Sequence, residues 1–238
     1  MKKKILVLCL VVAMLATAVV SGSLAWFTDN DEVTNTFTIG SIEIEQHEKD
    51  NNGNDFVQDQ QLLPVVNVEN PKDDPNYKAK VVTVENTGKN DAYIRTFIAS
   101  PKTMDGKLVL DYADDMGTWV EKIYCPDITI DGIVYKVECY VYTLASKATT
   151  PVLLEGVYLD ASVDVQENPN ANNRMEFCWK GEDGEWVFSG FAVEDATKIN
   201  VLVATQAVQT AGFINRDVAL ESSFGSHMEA ASLPFDVD

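Results

Sequence analysis

His47 and His227 are the chain's two histidines, so histidine-based chemistry has little to draw on. Zinc peptidases of the zincin type need two histidines one helical turn apart, with a glutamate between them to activate water. His47-Glu48 is followed by Lys49, Asp50 and Asn51, which leaves the second ligand missing, and the segment follows a strand pattern, not a helical one. His47 therefore reads as an ordinary loop residue. A Gly-x-Ser-x-Gly elbow and a phosphate-cradling glycine loop are both absent, so neither nucleophilic acyl transfer nor nucleotide chemistry is indicated. Asp111, Asp114 and Asp115 lie near Tyr112 and Trp119, a set able to stack on a sugar. A surface turn beside a core aromatic accounts for the same residues. No catalytic residue and no cofactor are expected.

One pattern resembles a cation loop. Glu48-x-Asp50-x-Asn52-Gly53, with Asp55 and Asp59 beyond, puts oxygen ligands on alternate residues before a glycine. Calcium loops use this spacing because a hard cation wants six or more oxygens around a tight turn. Here the first ligand is a glutamate and no helices flank the loop, so a solvated acidic loop is the competing reading. The cysteines carry less. Cys9 lies in an apolar leader, and Cys125, Cys139 and Cys178 are odd in number without C-x-x-C spacing. That excludes a disulfide framework and a zinc knuckle. A two-residue turn at Asp131-Gly132 sets Ile130 opposite Ile133 and Cys125 opposite Glu138. A Cys125–Cys139 bridge then needs an odd-length loop or a bulge, and three buried free thiols are expected.

The elements that position these residues are strand-like. Phe37 and Ile39, then Ile42 and Ile44, alternate with polar residues, with a parity change that predicts a kink at Gly40-Ser41. Ala92, Ile94 and Ile98 share one face, and Tyr93, Arg95 and Phe97 the other. Ile133, Tyr135, Val137, Cys139 and Val141 line up against Lys136 and Glu138. Val157, Leu159, Ala161 and Val163 also alternate. Ile199, Val201 and Val203 belong to a strand apolar on both faces, which predicts a central place. Asn86-Thr87-Gly88, Asp131-Gly132 and Asp183-Gly184 read as turns, the last two as hairpins. Loops are expected over Gln46–Asp59, Asn67–Tyr77 and Glu167–Asn173, and a short helix over Asp217–Phe224 stopped by Gly225. The fold class is all-β: an antiparallel β-sandwich with one short C-terminal helix.

Composition and the N-terminal segment lead to the expectation of an exported protein, secreted to the extracellular matrix or cell surface. Hydrophobic residues make up 46 % of the chain, enough for a core. The net charge of −19 repels nucleic acid and anionic lipid. Lys2-Lys3-Lys4 precedes an apolar run from Ile5 to Val20, short of the ~20 residues a bilayer span needs. Ser23-Leu24-Ala25 offers small residues at both positions a signal peptidase reads. The expectation is a leader over residues 1–25 cleaved around Ser23, Leu24, Ala25 and Trp26, with no stable membrane anchor afterwards. One β domain then spans 26–226, and a tail 227–238.

Ala25-Trp26-Phe27-Thr28-Asp29, followed by Asn35-Thr36-Phe37-Thr38-Ile39-Gly40-Ser41-Ile42-Glu43-Ile44, resembles the start of the TasA/camelysin group. Val84 to Arg95 and Val201 to Phe213 are weaker echoes of the same group. The resemblance implies a jelly-roll-like sandwich and a Gram-positive exported protein cleaved by a SipW-type signal peptidase. It also implies self-association, or association with related matrix proteins, in biofilm fibres. The expected function is a secreted structural subunit of a surface or matrix fibre. Its assembly strand would carry Trp26, Phe27, Phe37, Ile39, Ile42 and Ile44, because a free terminal strand can complete a neighbour's sheet edge. The alternatives are an adhesin-like binding module acting through acidic loops and a camelysin-like metallopeptidase.

Overall fold

A computed structural model of the protein describes residues 29–32, 42–57, 60–193 and 199–235. Among these residues it is an antiparallel β protein with one short C-terminal α-helix, as expected. The chain runs β1 (Asp29–Glu32), β2 (Ile44–Lys49), β3 (Lys78–Asn86), β4 (Ala92–Pro101), β5 (Leu108–Tyr112), β6 (Glu121–Tyr124) and β7 (Ile128–Ile130). It continues with β8 (Ile133–Leu144), β9 (Leu154–Leu159), β10 (Asp164–Asn168), β11 (Arg174–Lys180), β12 (Trp186–Ala192), β13 (Leu202–Gln209) and α1 (Arg216–Phe224). The largest sheet has the order β1-β13-β4-β8-β6, with β7 also paired to β8. A second sheet has the order β2-β3-β9-β5, and a third the order β10-β11-β12.

The period-2 patterns of β4 and β8 explain the layering. Ala92, Ile94 and Ile98 of β4, with Tyr140 and Tyr142 of β8, enter a core shared with Val82, Val84 and Leu154 of the second sheet. Phe97 and Ala99, with Tyr135, Val137, Cys139 and Val141, face the opposite way. There they meet Ala219 and Leu220 of α1 and Leu233 and Phe235 of the C-terminal segment. Both faces of the large sheet are thus covered. This is why β13 has buried residues without interruption from Val203 to Val208 and lies between β1 and β4. The helix is defined locally. Asn215 accepts a hydrogen bond from the Val218 N–H at 2.9 Å, and Gly225, at φ 81°, ends it.

The turn readings hold. Asp131 and Gly132, at φ 51° and 75°, make the two-residue link between Ile130 and Ile133. Asp183-Gly184 lies in the longer connection from β11 to β12, which pair from Lys180 and Trp186. The segment Asn67–Tyr77 stays outside the strands. Asp74 gathers it by accepting from the N–H groups of Val66, Asn67 and Asn76 at 2.7, 2.7 and 2.8 Å.

Three expectations are corrected. Gln46–Asp59 is not a loop from its start, because β2 continues to Lys49 in register with β3, and His47 is a strand residue. Gln46 does not end the strand because its amide is satisfied inside the protein. The alternation through Val163 breaks after Leu159. There Asp160 accepts from the Ser162 N–H at 2.9 Å and its carbonyl from the Val163 N–H at 3.0 Å, sending β10 into a different sheet. Glu167 and Asn168 belong to β10, so that loop begins later.

Candidate functional site

The N-terminal segment is divided between two sheets. β1 lies at the edge of the large sheet and pairs antiparallel with β13, Asp29 opposite Ala207 and Glu32 opposite Ala204. Ile42 and Ile44 are buried in the shared core, and β2 is zipped to β3 from Ile44–Asn86 to Lys49–Val81. Ser23, Leu24, Ala25, Trp26, Phe27, Phe37 and Ile39, and the kink at Gly40-Ser41, lie outside the described residues.

A buried polar chain fixes β13, the strand that receives β1. Gln46 Nε2 donates to the Val203 carbonyl at 3.2 Å, and Thr205 Oγ1 donates to Gln46 Oε1 at 2.8 Å. Thr205 Oγ1 is also 3.1 Å from Thr96 Oγ1, which lies 2.8 Å from the Tyr142 hydroxyl. Four strands from two sheets are thereby tied through side chains that are almost wholly buried. Polar groups in such a place are costly unless paired, so the chain specifies one register for β13. Sequence reading missed it. The signal was Gln46, a polar residue on the parity of Ile42 and Ile44.

Arg95 was also missed, having been assigned only a face. It is 1 % exposed. Its Nε donates to Gln206 Oε1 at 2.6 Å and its Nη1 to the Gly225 carbonyl at 3.1 Å. The guanidinium lies 5.3 Å from the ring centres of both Phe97 and Phe224, which suits a weakly hydrated cation. Its Nη2 is buried without a hydrogen-bond partner. Burial lowers its pKa, and the thiols of Cys139 and Cys125 act in the opposite direction. Beside it is a cavity of about 130 Å³ that also touches Arg216, Glu221 and His227.

The calcium-like residues do not converge. Glu48 turns inward to accept from Lys80 and, at 3.1 Å, from Gln46. Asp50 accepts from the N–H groups of Asn52 and Asn54 at 2.8 and 2.9 Å, and hydrogen bonding led by the Asn54 side chain keeps its carboxyl below the ordinary range. Asp55 pairs with Lys49 at 2.5 Å, and that contact lowers it likewise. Asn52 is exposed in the turn, and Asp59 lies outside the described residues. A different set does meet. Glu45 stands opposite Glu85 across β2 and β3, an arrangement that repels. His47 Nε2 lies 3.2 Å from Glu85 and 4.0 Å from Glu45. One ligand atom from each is within 4.8 Å of the others, close enough to hold a divalent cation. Periodicity could not find Glu85, which is 38 residues from His47.

The sugar-stacking candidates separate. Asp111 accepts from the Tyr77 hydroxyl at 2.8 Å, whereas the Tyr112 hydroxyl goes to Glu138. Trp119 packs edge-on against Tyr142 at 5.3 Å, and Asp114 and Asp115 are exposed. Comparison of the chain with family models, with curated proteins and with solved structures finds no match.

Proposed function

We propose that the protein is a secreted structural subunit that joins its neighbours through the N-terminal strand. The position of β1 carries this reading. It is four residues long, lies at a sheet edge, and contacts a strand that is anchored independently of it. It meets β13 along a backbone ladder of four residue pairs, from Asp29–Ala207 to Glu32–Ala204. β13 keeps β4 on its other side and the Gln46–Thr205–Thr96 chain beneath it. Loss of β1 therefore uncovers an ordered edge, which a second copy's N-terminal segment can fill. The contact joins two different surfaces, so repetition gives an open filament. The motif resemblance in residues 25–44 supports the same reading. Ile42 and Ile44 remain in the donor's own core and tether the exchanged segment.

Electron microscopy of the chain starting at Trp26, beside a variant lacking Trp26–Glu32, tests this. Filaments are expected from the first and monomers with an unchanged β spectrum from the second. Equal filaments from both, or none from either, would overturn it. The deletion stops at Glu32 because removing Ile42 and Ile44 would strip the core itself.

A further inference from the structure

A bulge on the edge of the large sheet opposite β1 brings two thiols to one side. β6 pairs with β8 so that Ile123 is opposite Cys139 and Tyr124 opposite Glu138. β7 resumes with Ile128 opposite Tyr135. Cys125, Pro126 and Asp127 thus face only Lys136 and Val137. Pro126 has no N–H to give the ladder, which suits a bulge. Continued from the Asp131-Gly132 turn without the extra residue, the register would set Cys125 opposite Glu138, on the face away from Cys139. With it, Cys125 shares the face of Ile123 and Cys139. Both thiols lie in the core beneath α1, 4 % and 0 % exposed. Burial pushes Cys139 up and its interaction with the neighbouring Cys125 thiol adds to that, while the same interaction draws Cys125 down. Arg95 is close enough to favour negative charge on either sulfur.

We propose that Cys125 and Cys139, free thiols in this structure, are a dithiol that closes into a disulfide when the chain folds under oxidising conditions. Cys178 stays out. It is buried in β11, in the third sheet, and pairs there with Asp164 and Phe188. The oxidant is a disulfide, borne by a thiol oxidoreductase or a small molecule such as oxidised glutathione. The Cys125 thiolate attacks one of its sulfurs, and the other leaves as a thiolate that takes up a proton. Cys139 gives up its proton and attacks the Cys125 sulfur of this mixed disulfide, expelling the second thiol. Two protein thiols lose two electrons and two protons, and the oxidant's disulfide gains them. The bond closes the hairpin around Asp131-Gly132 and pins β6, which otherwise holds β8 through four residue pairs.

The test is refolding of the chain from denaturant in a glutathione redox buffer, trapping of free thiols with an alkylating reagent, and peptide mapping. Cleavage after Lys122, Lys136 and Lys147 puts Cys125 and Cys139 on separate peptides, and cleavage after Arg174 and Lys180 isolates Cys178. The expected result is the Cys125 peptide joined to the Cys139 peptide, with Cys178 alkylated. Reductant should then lower the thermal midpoint by about 5 °C or more. A Cys178→Ala variant should keep the link. Three alkylated peptides, or a link through Cys178, would overturn the proposal.

Discussion

Replacing Thr205 with valine keeps its shape and deletes one hydroxyl from the middle of the buried chain between the sheets. Thr205 is 1 % exposed, and its Oγ1 lies 2.8 Å from Gln46 Oε1 and 3.1 Å from Thr96 Oγ1. Thr96 keeps its contact with Tyr142, so the lost bond there costs about 1 kcal/mol. Gln46 Oε1 loses its side-chain donor in a dry site, and an unsatisfied buried acceptor costs about 1–3 kcal/mol. The expected loss is therefore about 2–4 kcal/mol, read by urea denaturation followed by far-ultraviolet circular dichroism, with the slope unchanged. The double variant Thr205→Val, Gln46→Leu supplies the control. Removing both partners should recover part of the loss, because no acceptor is then stranded. A Thr205→Val loss below about 0.5 kcal/mol, or a double variant as costly as the two singles summed, would refute the reasoning.

Phe97→Ala, which empties a wholly buried site facing Phe235 at 6.4 Å, should cost about 3–5 kcal/mol in the same denaturation assay. Lys80→Met should cost about 3–5 kcal/mol at pH 7, since it strands the inward-facing Glu48, and much less when combined with Glu48→Gln. Burial pushes Glu138 up, but donation from Lys122 and the hydroxyls of Tyr112 and Tyr140 outweighs it and holds the carboxyl below its ordinary 4.5. Its contribution is thus present above pH 4.5 and lost as pH falls through the lower folded value, and Glu138→Gln should flatten that acid limb of the stability profile. Calcium should leave the thermal midpoint of a His47→Ala variant, which lacks the Glu45–His47–Glu85 set, unmoved, because the loop residues Glu48, Asp50 and Asp55 are each held by a different partner. A rise reversed by chelator in that variant would contradict that.

What the sequence revealed was local. The two faces of β4 and β8, the Asp131-Gly132 turn and the helix ended by Gly225 follow from periods and backbone preferences that a short window contains. What it hid depends on partners far along the chain. Gln46 meets Thr205 across 159 positions and Arg95 meets Gln206 across 111. A polar residue on an apolar face signals only that a partner exists, not which one. Glu45 and Glu85 show the same limit, since their opposition is a fact of strand register. The bulge at Cys125–Asp127 was foreseen only as a condition for bridging the thiols. The break after Leu159 looked like continuous alternation because Ala161 and Val163 kept the parity while Asp160 turned the chain.

Strand exchange between subunits is tested most directly by crosslinking two differently tagged chains, one carrying Asp29→Cys and the other Ala207→Cys, residues that face each other across β1 and β13. After the two are mixed and oxidised, a heterodimer joined between positions 29 and 207 is expected, mapped by its peptides. If the link forms only within a chain that carries both substitutions, and never between chains, β1 stays on its own sheet and the fibre account is wrong.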